Sequence, residues 1–268
     1  MMSLKTISTY PEIKFSKIKN CRLYNTSCNP IITGLQDYRI TGLQDYRITG
    51  LQDILYEDIM STIISFLNGK GGVGKTTTTI NVATALGKMG HNIVVVDTDP
   101  QQSIGNWFVP EKCNFDVVSA STQKEVYSIK KSLKSYDYII IDGAAAISEI
   151  SSAAVMVSDL VIIPVTASPL DFAASTAILA VIEARNDLQP VKARFLVTKK
   201  VHAATMVQVL KDSIQETGFK ALKTGTTQRQ SYIKTMLDGG TVFETSDSQA
   251  KGEIDNIVRE ILEILNEK

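Results

Sequence analysis

Cysteine is scarce in this chain. Three occur in 268 residues, Cys21, Cys28 and Cys113. They are too few and too scattered for a disulfide framework or a four-ligand zinc site, which suits a reducing cytoplasm. Net charge is missing as well, since 28 basic side chains balance 28 acidic ones. No global basic field therefore favours nucleic acid, and any such surface must be a local patch. No apolar run approaches the roughly 20 residues of a membrane span. The two histidines, His91 and His202, are isolated; both read as structural or surface residues and not as ligands. What is left, 44% hydrophobic and 21% charged, is an ordinary globular composition, long enough for one large or two small domains.

The most informative stretch is Asn68-Gly69-Lys70-Gly71-Gly72-Val73-Gly74-Lys75-Thr76-Thr77. An apolar run, Ile63 to Leu67, precedes it, and a helical pattern, Thr78 to Leu86, follows. Strand, glycine loop and helix in that order confirm the phosphate-loop pattern, with Gly69, Gly74, Lys75 and Thr76 at its fixed places. Glycines let successive backbone amides converge on a polyphosphate, and the helix adds its positive end. Lys75 is placed to reach the β- and γ-phosphates and the Thr76 hydroxyl to ligate Mg²⁺. Lys70 is a second lysine inside the loop, beside the phosphates but pointing out of its own loop.

Lys70-Gly71-Gly72-Val73-Gly74-Lys75-Thr76-Thr77 resembles the deviant Walker A motif of the ParA/MinD ATPases. The resemblance spans residues 60–268 and implies an ATP-hydrolysing enzyme that uses Mg²⁺ and dimerises on ATP. In that family the extra lysine crosses the dimer interface to the other subunit's nucleotide. Asp97-Thr98-Asp99-Pro100-Gln101 is similar to the family's Asp-x-Asp-Pro-Gln motif. By that resemblance Asp97 helps hold the Mg²⁺ water shell and Asp99 orients the attacking water. Met60 to Asn68 resembles the start of small, ParF-like plasmid partition ATPases.

The order of elements supports an α/β fold: a mostly parallel twisted sheet with helices on both faces, the layering of P-loop NTPases. Ile93 to Val96 is a β-branched run, the mark of a strand buried on both faces, and Gly90 ends the helix before it. An acidic pair such as Asp97 and Asp99 at a strand end is commonly a turn or cap, but this strand end belongs to the edge where ligands bind. Tyr136 to Gly143 is an apolar strand ending in Asp142, the Walker B arrangement, whose acid binds Mg²⁺ opposite the loop threonine. Gly143 follows where the family usually continues Asp-x-x-Pro, and a glycine there resembles the ParF-like branch. Further strands are expected at Phe115–Ser119, Leu160–Val165, Ala193–Thr198 and Ala221–Thr224. Pro164 is tolerable near a strand end. Helices are expected at Thr122–Leu133, at Ala204–Ile214, and as one long helix from Ser168 as N-cap and Pro169 through Ala184. Gln101–Glu111 reads as a loop with a short helix carrying Trp107, the single tryptophan, and Asp238–Phe243 as a turn with a short apolar anchor. Thr198, Lys199 and Lys200 lie where related ATPases position adenine, and Thr226–Tyr232 is similar to a segment near the base in ParF-like proteins. Lys251–Leu265 is amphipathic, with Ile254, Ile257, Val258, Ile261 and Leu265 on one face.

Residues 1–59 supply little to bury. Thr33–Ile40 recurs verbatim as Thr41–Ile48, and Thr49–Asp53 begins a third copy. A period of eight suits neither helix nor strand and is shorter than solenoid units. Copies this poor in apolar residues cannot build a core, so a disordered or weakly ordered extension is expected. Verbatim repeats without structural use also fit translated direct DNA repeats, eight codons long, such as operator, partition-site or replication elements. Met60 is then the natural start. An extension that binds DNA or a partner stays open, because Lys5, Lys14, Lys17, Lys19 and Arg22 face only Glu12 within residues 1–30. No helix-turn-helix pattern accompanies them. A transit peptide is the remaining alternative.

The function expected is DNA segregation by a cytoplasmic, nucleoid-associated ATPase. Its partners would be a second copy, non-specific DNA and a centromere-binding protein, with polymer formation implied only by the resemblance. Lys199, Lys200, Lys211, Lys220, Lys223, Arg229 and Lys234 enrich the last third in positive charge. If several share a face, phosphate contacts give sequence-blind binding; scattered lysines are otherwise a solvated face. A MinD-like membrane role conflicts with the last helix, where Glu253, Asp255, Glu260, Glu263 and Glu267 outnumber Lys251, Arg259 and Lys268. A cluster bridged by cysteines, as in nitrogenase iron proteins, is excluded because only Cys113 lies within residues 60–268. A small-molecule ligase related to dethiobiotin synthetase and a nucleotide-switched repressor remain as rivals.

Overall fold

The computed structural model describes residues 61–267 apart from 102, 111, 202 and 203. The octapeptide repeats, Cys21, Cys28, the basic residues of the first thirty, Met60, His202 and Lys268 lie outside the described residues.

Seven parallel strands form one sheet: β1 (Thr62–Phe66), β2 (Ile93–Asp97), β3 (Asp116–Ser119), β4 (Tyr138–Asp142), β5 (Leu160–Thr166), β6 (Lys192–Thr198) and β7 (Lys220–Ala221). Their spatial order is β3-β2-β4-β1-β5-β6-β7. After β1 the chain crosses to one side of the sheet, and after β4 to the other. The switch point, where α/β sheets bind ligands, therefore lies at the C-terminal ends of β1 and β4. Alternate residues of each strand enter two cores. Ile64, Phe66, Val95, Ile140 and Ile162 face one, and Ile63, Val94, Val96, Ile139, Ile141 and Ile163 the other.

Among the described residues ten elements flank the sheet: α1 (Lys75–Lys88), α2 (Ser103–Trp107), α3 (Gln123–Ser132), α4 (Glu149–Val157), α5 (Pro169–Ala173), α6 (Thr176–Asn186), α7 (Ala204–Glu216), α8 (Gln230–Asp238), a 3-10 turn (Val242–Glu244) and α9 (Ser248–Asn266). Gly90 closes α1 as expected, at φ 95°. Thr122 caps α3 in a reciprocal capping box with Glu125. Trp107 is buried and its indole Nε1 donates to the Thr235 carbonyl. Pro164 fits for a local reason. Pairing of β1 with β5 stops at Ile162, so no ladder bond is lost, and the Pro164 carbonyl accepts from Asn68 Nδ2 at 2.8 Å.

Two expectations need correction. The long helix from Ser168 is two helices, α5 and α6. The Ser175 and Thr176 hydroxyls take the Phe172 and Ala173 carbonyls at 2.6 and 2.8 Å, and such side-chain bonds compete with helix continuation. Ser168 caps α5 by position without a side-chain bond. On α9 the expected face is the buried one: Ile254, Ile257, Val258 and Ile261 are buried, Leu265 packs half-buried against the same core, and Ile264 joins them. The last short strand is Lys220–Ala221, not Ala221–Thr224.

Candidate active site

The loop after β1 turns through two left-handed glycines, Gly72 at φ 77° and Gly74 at φ 90°, and Gly74 is the N-cap of α1. Asn68 pins its entry, because Oδ1 accepts the Lys70 amide at 3.0 Å. Two lysines rest on the loop's own carbonyls. Lys75 Nζ donates to the Lys70 carbonyl at 2.9 Å, and Lys199 Nζ to the Gly72 carbonyl at 2.6 Å. Burial lowers the pKa of Lys75, opposed by the charges of Asp142 and Asp99. Lys70 is exposed.

The parallel register makes Asp97 and Asp142 cross-strand neighbours. Asp142 is buried and accepts from Thr76 Oγ1 at 2.7 Å and Thr79 Oγ1 at 2.9 Å. Burial pushes its pKa up to about 7 against those two hydrogen bonds, with Asp97 adding to the rise. Asp97 spends both oxygens on backbone amides, those of Asp99 and Ile104, each at 3.0 Å. Asp99 accepts the Gln101 amide at 2.9 Å, so both acids build the turn, and of the two Asp99 lines the site while Asp97 is buried.

A buried carboxylate beside a threonine hydroxyl fits a hard cation. Mg²⁺ takes oxygen ligands of this kind, and its charge offsets the burial that raises Asp142. Thr76 and Asp142 would hold the metal from the protein side, with Asp97 beside Asp142 on the neighbouring strand.

Two clefts meet at the loop. One, about 270 Å³, is lined by Gly71, Gly72, Gly74, Lys75, Thr76, Thr77, Asp99, Gly143, Ala145 and Lys199. Its lining of loop amides and lysines suits phosphates. The other, about 320 Å³, runs from Gly74, Thr77 and Thr78 past Thr198 and Lys199 to Thr226–Arg229, Tyr232, Ile233, Met236 and Leu237. It is more apolar and suits a base and ribose. Gly69 and Val73 line neither of these clefts, whereas Thr198 lines the larger one. The Thr198 hydroxyl is committed to the Val73 and Val165 carbonyls at 2.7 and 3.2 Å. Lys199 adopts a left-handed conformation at φ 50°, which turns its side chain back onto the loop.

Several residues escaped the sequence. Thr79 was legible in principle, since it lies one turn after Thr76 on the same helix face. Gly143 was singled out only for its place after Asp142, and neither its close packing nor that of Gly225 was legible. A Cβ on Gly143 would stand 2.5 Å from Leu67 Cδ2 and 2.9 Å from the Phe66 carbonyl, and one on Gly225 would run into the Val197 carbonyl. Two members of the basic set are engaged within the fold: Arg229 pairs with Glu253 at 3.1 Å and lies 3.8 Å from Asp247, and Lys199 holds Gly72. Lys211, Lys220, Lys223 and Lys234 are exposed. His91 lies edge-on to Tyr138 with ring centroids 5.0 Å apart.

A family model described as the CobQ/CobB/MinD/ParA nucleotide binding domain matches residues 64–241. Maintenance of carboxysome distribution protein A of Halothiobacillus neapolitanus is 26% identical over 207 residues, 74% of this chain and 95% of its own length. Protein ParA of Rhizobium radiobacter is 26% identical over 206 residues, 70% of this chain and 87% of its own length. Among solved structures, one described as a plasmid partition protein of Borrelia burgdorferi B31 bound to AMPPNP superposes with a TM-score of 0.62 at 22% identity, covering 76% of this chain and 99% of that one. The chain belongs to the CobQ/CobB/MinD/ParA nucleotide-binding domain family and is a P-loop ATPase of its ParA/MinD branch.

Proposed function

We propose that this ATPase segregates DNA. ATP brings two copies together, the dimer holds DNA without regard to sequence at the nucleoid, and a partner bound at a centromere on the cargo stimulates hydrolysis. The observation that carries this reading is the contrast between the two loop lysines: Lys75 is buried on the Lys70 carbonyl, and Lys70 is exposed. An exposed cation beside a phosphate cleft that it does not line is suited to a second copy's site, where it offsets charge on the transferred phosphoryl group.

Within one copy, Lys75 and the amides from Gly69 to Thr77 hold the phosphates and Asp99 orients water. Thr76 and Asp142, with Asp97 beside them, would hold Mg²⁺. When bound there, Mg²⁺ supplies positive charge to the phosphate oxygens. Lys199 borders both clefts and joins the base side to the phosphate side, with Thr198 bracing the loop beneath it.

The test is binding of the full chain to random-sequence duplex DNA with ATP, with ADP and in Lys70→Ala. Binding that needs ATP and is lost in Lys70→Ala is expected. No binding in any state sinks the segregation reading.

The similarity to the carboxysome distribution protein, over 95% of that protein's length, supports a second reading in which the cargo is a carboxysome-like body. The two differ in which partner stimulates hydrolysis. A MinD-like membrane role has less support. No helix among the described residues is long and apolar enough to cross a membrane, and the apolar face of α9 is buried against its own domain. Co-sedimentation with anionic liposomes tests it. Hydrolysis without any added small-molecule substrate would count against the ligase reading.

A further inference from the structure

Glu253 on α9 gathers four donors from one segment. Oε2 accepts the Thr227 amide at 3.0 Å and the Tyr232 hydroxyl at 2.9 Å. Oε1 accepts Arg229 Nε at 3.2 Å and Nη2 at 3.1 Å. The carboxylate side chain is only 14% exposed. Thr227, Arg229 and Tyr232 all line the larger cleft. Burial, then the charge and hydrogen bond of Glu253, push the Tyr232 hydroxyl well above its usual range, so it remains a donor.

The rest of α9 repeats the arrangement. Asp247, its N-cap, accepts Ser231 Oγ at 2.8 Å. Glu260 accepts the Lys223 and Thr224 amides at 2.6 and 2.7 Å. Between β7 and α8 the chain has no strand of its own. It is held on one side by the end of β6, through bonds such as Gln228 amide to Lys200 carbonyl, and on the other by the acids of α9. The face of α9 beneath those acids is anchored by buried Ile254, Ile257, Val258 and Ile261, so the carboxylates stand on a rigid base.

We propose that α9 braces the wall of the nucleoside pocket from behind and that Glu253 is a positioning residue, setting affinity for the base and ribose of ATP without touching them. This rests on the reading of the larger cleft as the nucleoside site. Glu253 fixes one face of that cleft by fixing the Thr227 backbone, the Arg229 guanidinium and the Tyr232 ring together. Linkage then requires that ATP tighten the docking of α9.

The experiment compares Mg-ATP with Mg-tripolyphosphate, which has the phosphates and no nucleoside. Affinities are measured by calorimetry on the full chain, on Glu253→Gln, Arg229→Ala, the double variant and Glu260→Ala. Glu253→Gln is expected to weaken ATP about tenfold, the effect of a lost charge-assisted contact, and to leave tripolyphosphate unchanged. Arg229→Ala should match it, and the double variant should be no worse than either, because the two act as one unit. Glu260→Ala, whose partners lie outside the cleft, should lower the melting midpoint and keep the ratio of the two affinities. ATP should slow hydrogen exchange across α9. Equal weakening of both ligands in Glu253→Gln, no weakening of either, or α9 exchange indifferent to ATP would each overturn the proposal. A wild-type chain that binds tripolyphosphate but not ATP would instead sink the nucleoside-site reading itself.

Discussion

Thr76 Oγ1 donates to Asp142 Oδ2 at 2.7 Å, across 66 residues of sequence. This bond ties the first turn of α1 to the C-terminal end of β4, and Thr79 secures the other carboxylate oxygen. The phosphate loop and the Walker B strand are therefore tied together through α1.

Asp142 makes stability depend on pH. Burial raises its pKa from an ordinary 3.8 to about 7. Between those values the folded chain holds a proton that the unfolded chain has released, so this group's contribution is full below about pH 4 and is lost as pH rises through 7. In protein freed of nucleotide and divalent cation, the melting midpoint should fall from pH 5 to pH 8. Asp142→Asn should remove most of that slope and be the more stable protein at pH 8. Equal slopes in both melts would refute the assignment.

Binding and chemistry should separate at Lys75 and Asp99. Lys75→Ala removes charge-assisted contacts to phosphates and should weaken ATP by about a hundredfold, at roughly 1.5–3 kcal/mol per contact. Asp99→Ala should leave ATP affinity nearly unchanged and lower kcat about a hundredfold or more. Calorimetry and steady-state phosphate release measure the two.

Gly143 and Gly225 should resist a methyl group for steric reasons. Gly143→Ala meets Leu67 and the Phe66 carbonyl, and Gly225→Ala meets the Val197 carbonyl. Each should cost about 1–3 kcal/mol in urea melts. Gly72→Ala meets nothing within 4 Å but carries φ 77°, so its cost should be the backbone penalty alone, roughly 1–2 kcal/mol.

Thr122→Ala reports on the fold alone. It breaks the capping box of α3, where the Glu125 amide donates to Thr122 Oγ1 at 3.2 Å. About 1 kcal/mol of stability should be lost, with ATP affinity unchanged.

The sequence by itself determined the fold class, the phosphate loop and the acids at two strand ends. Each depends on local order: an apolar run, then glycines or an aspartate, then a helical pattern, and backbone geometry turns that order into position. Only the tertiary structure decided what lies across the sheet or against another helix. The pairing of Asp97 with Asp142 comes from parallel register. The break between α5 and α6 comes from hydroxyls that outcompete the helix ladder. The acids of α9 read in sequence as a charged solvent face, yet Glu253 is bonded to the segment that walls the larger cleft and Glu260 to the chain just before it. A carboxylate's sequence neighbours do not reveal its hydrogen-bond donors when those donors lie 21 to 37 residues away. Packing of α9 on the sheet brings them together.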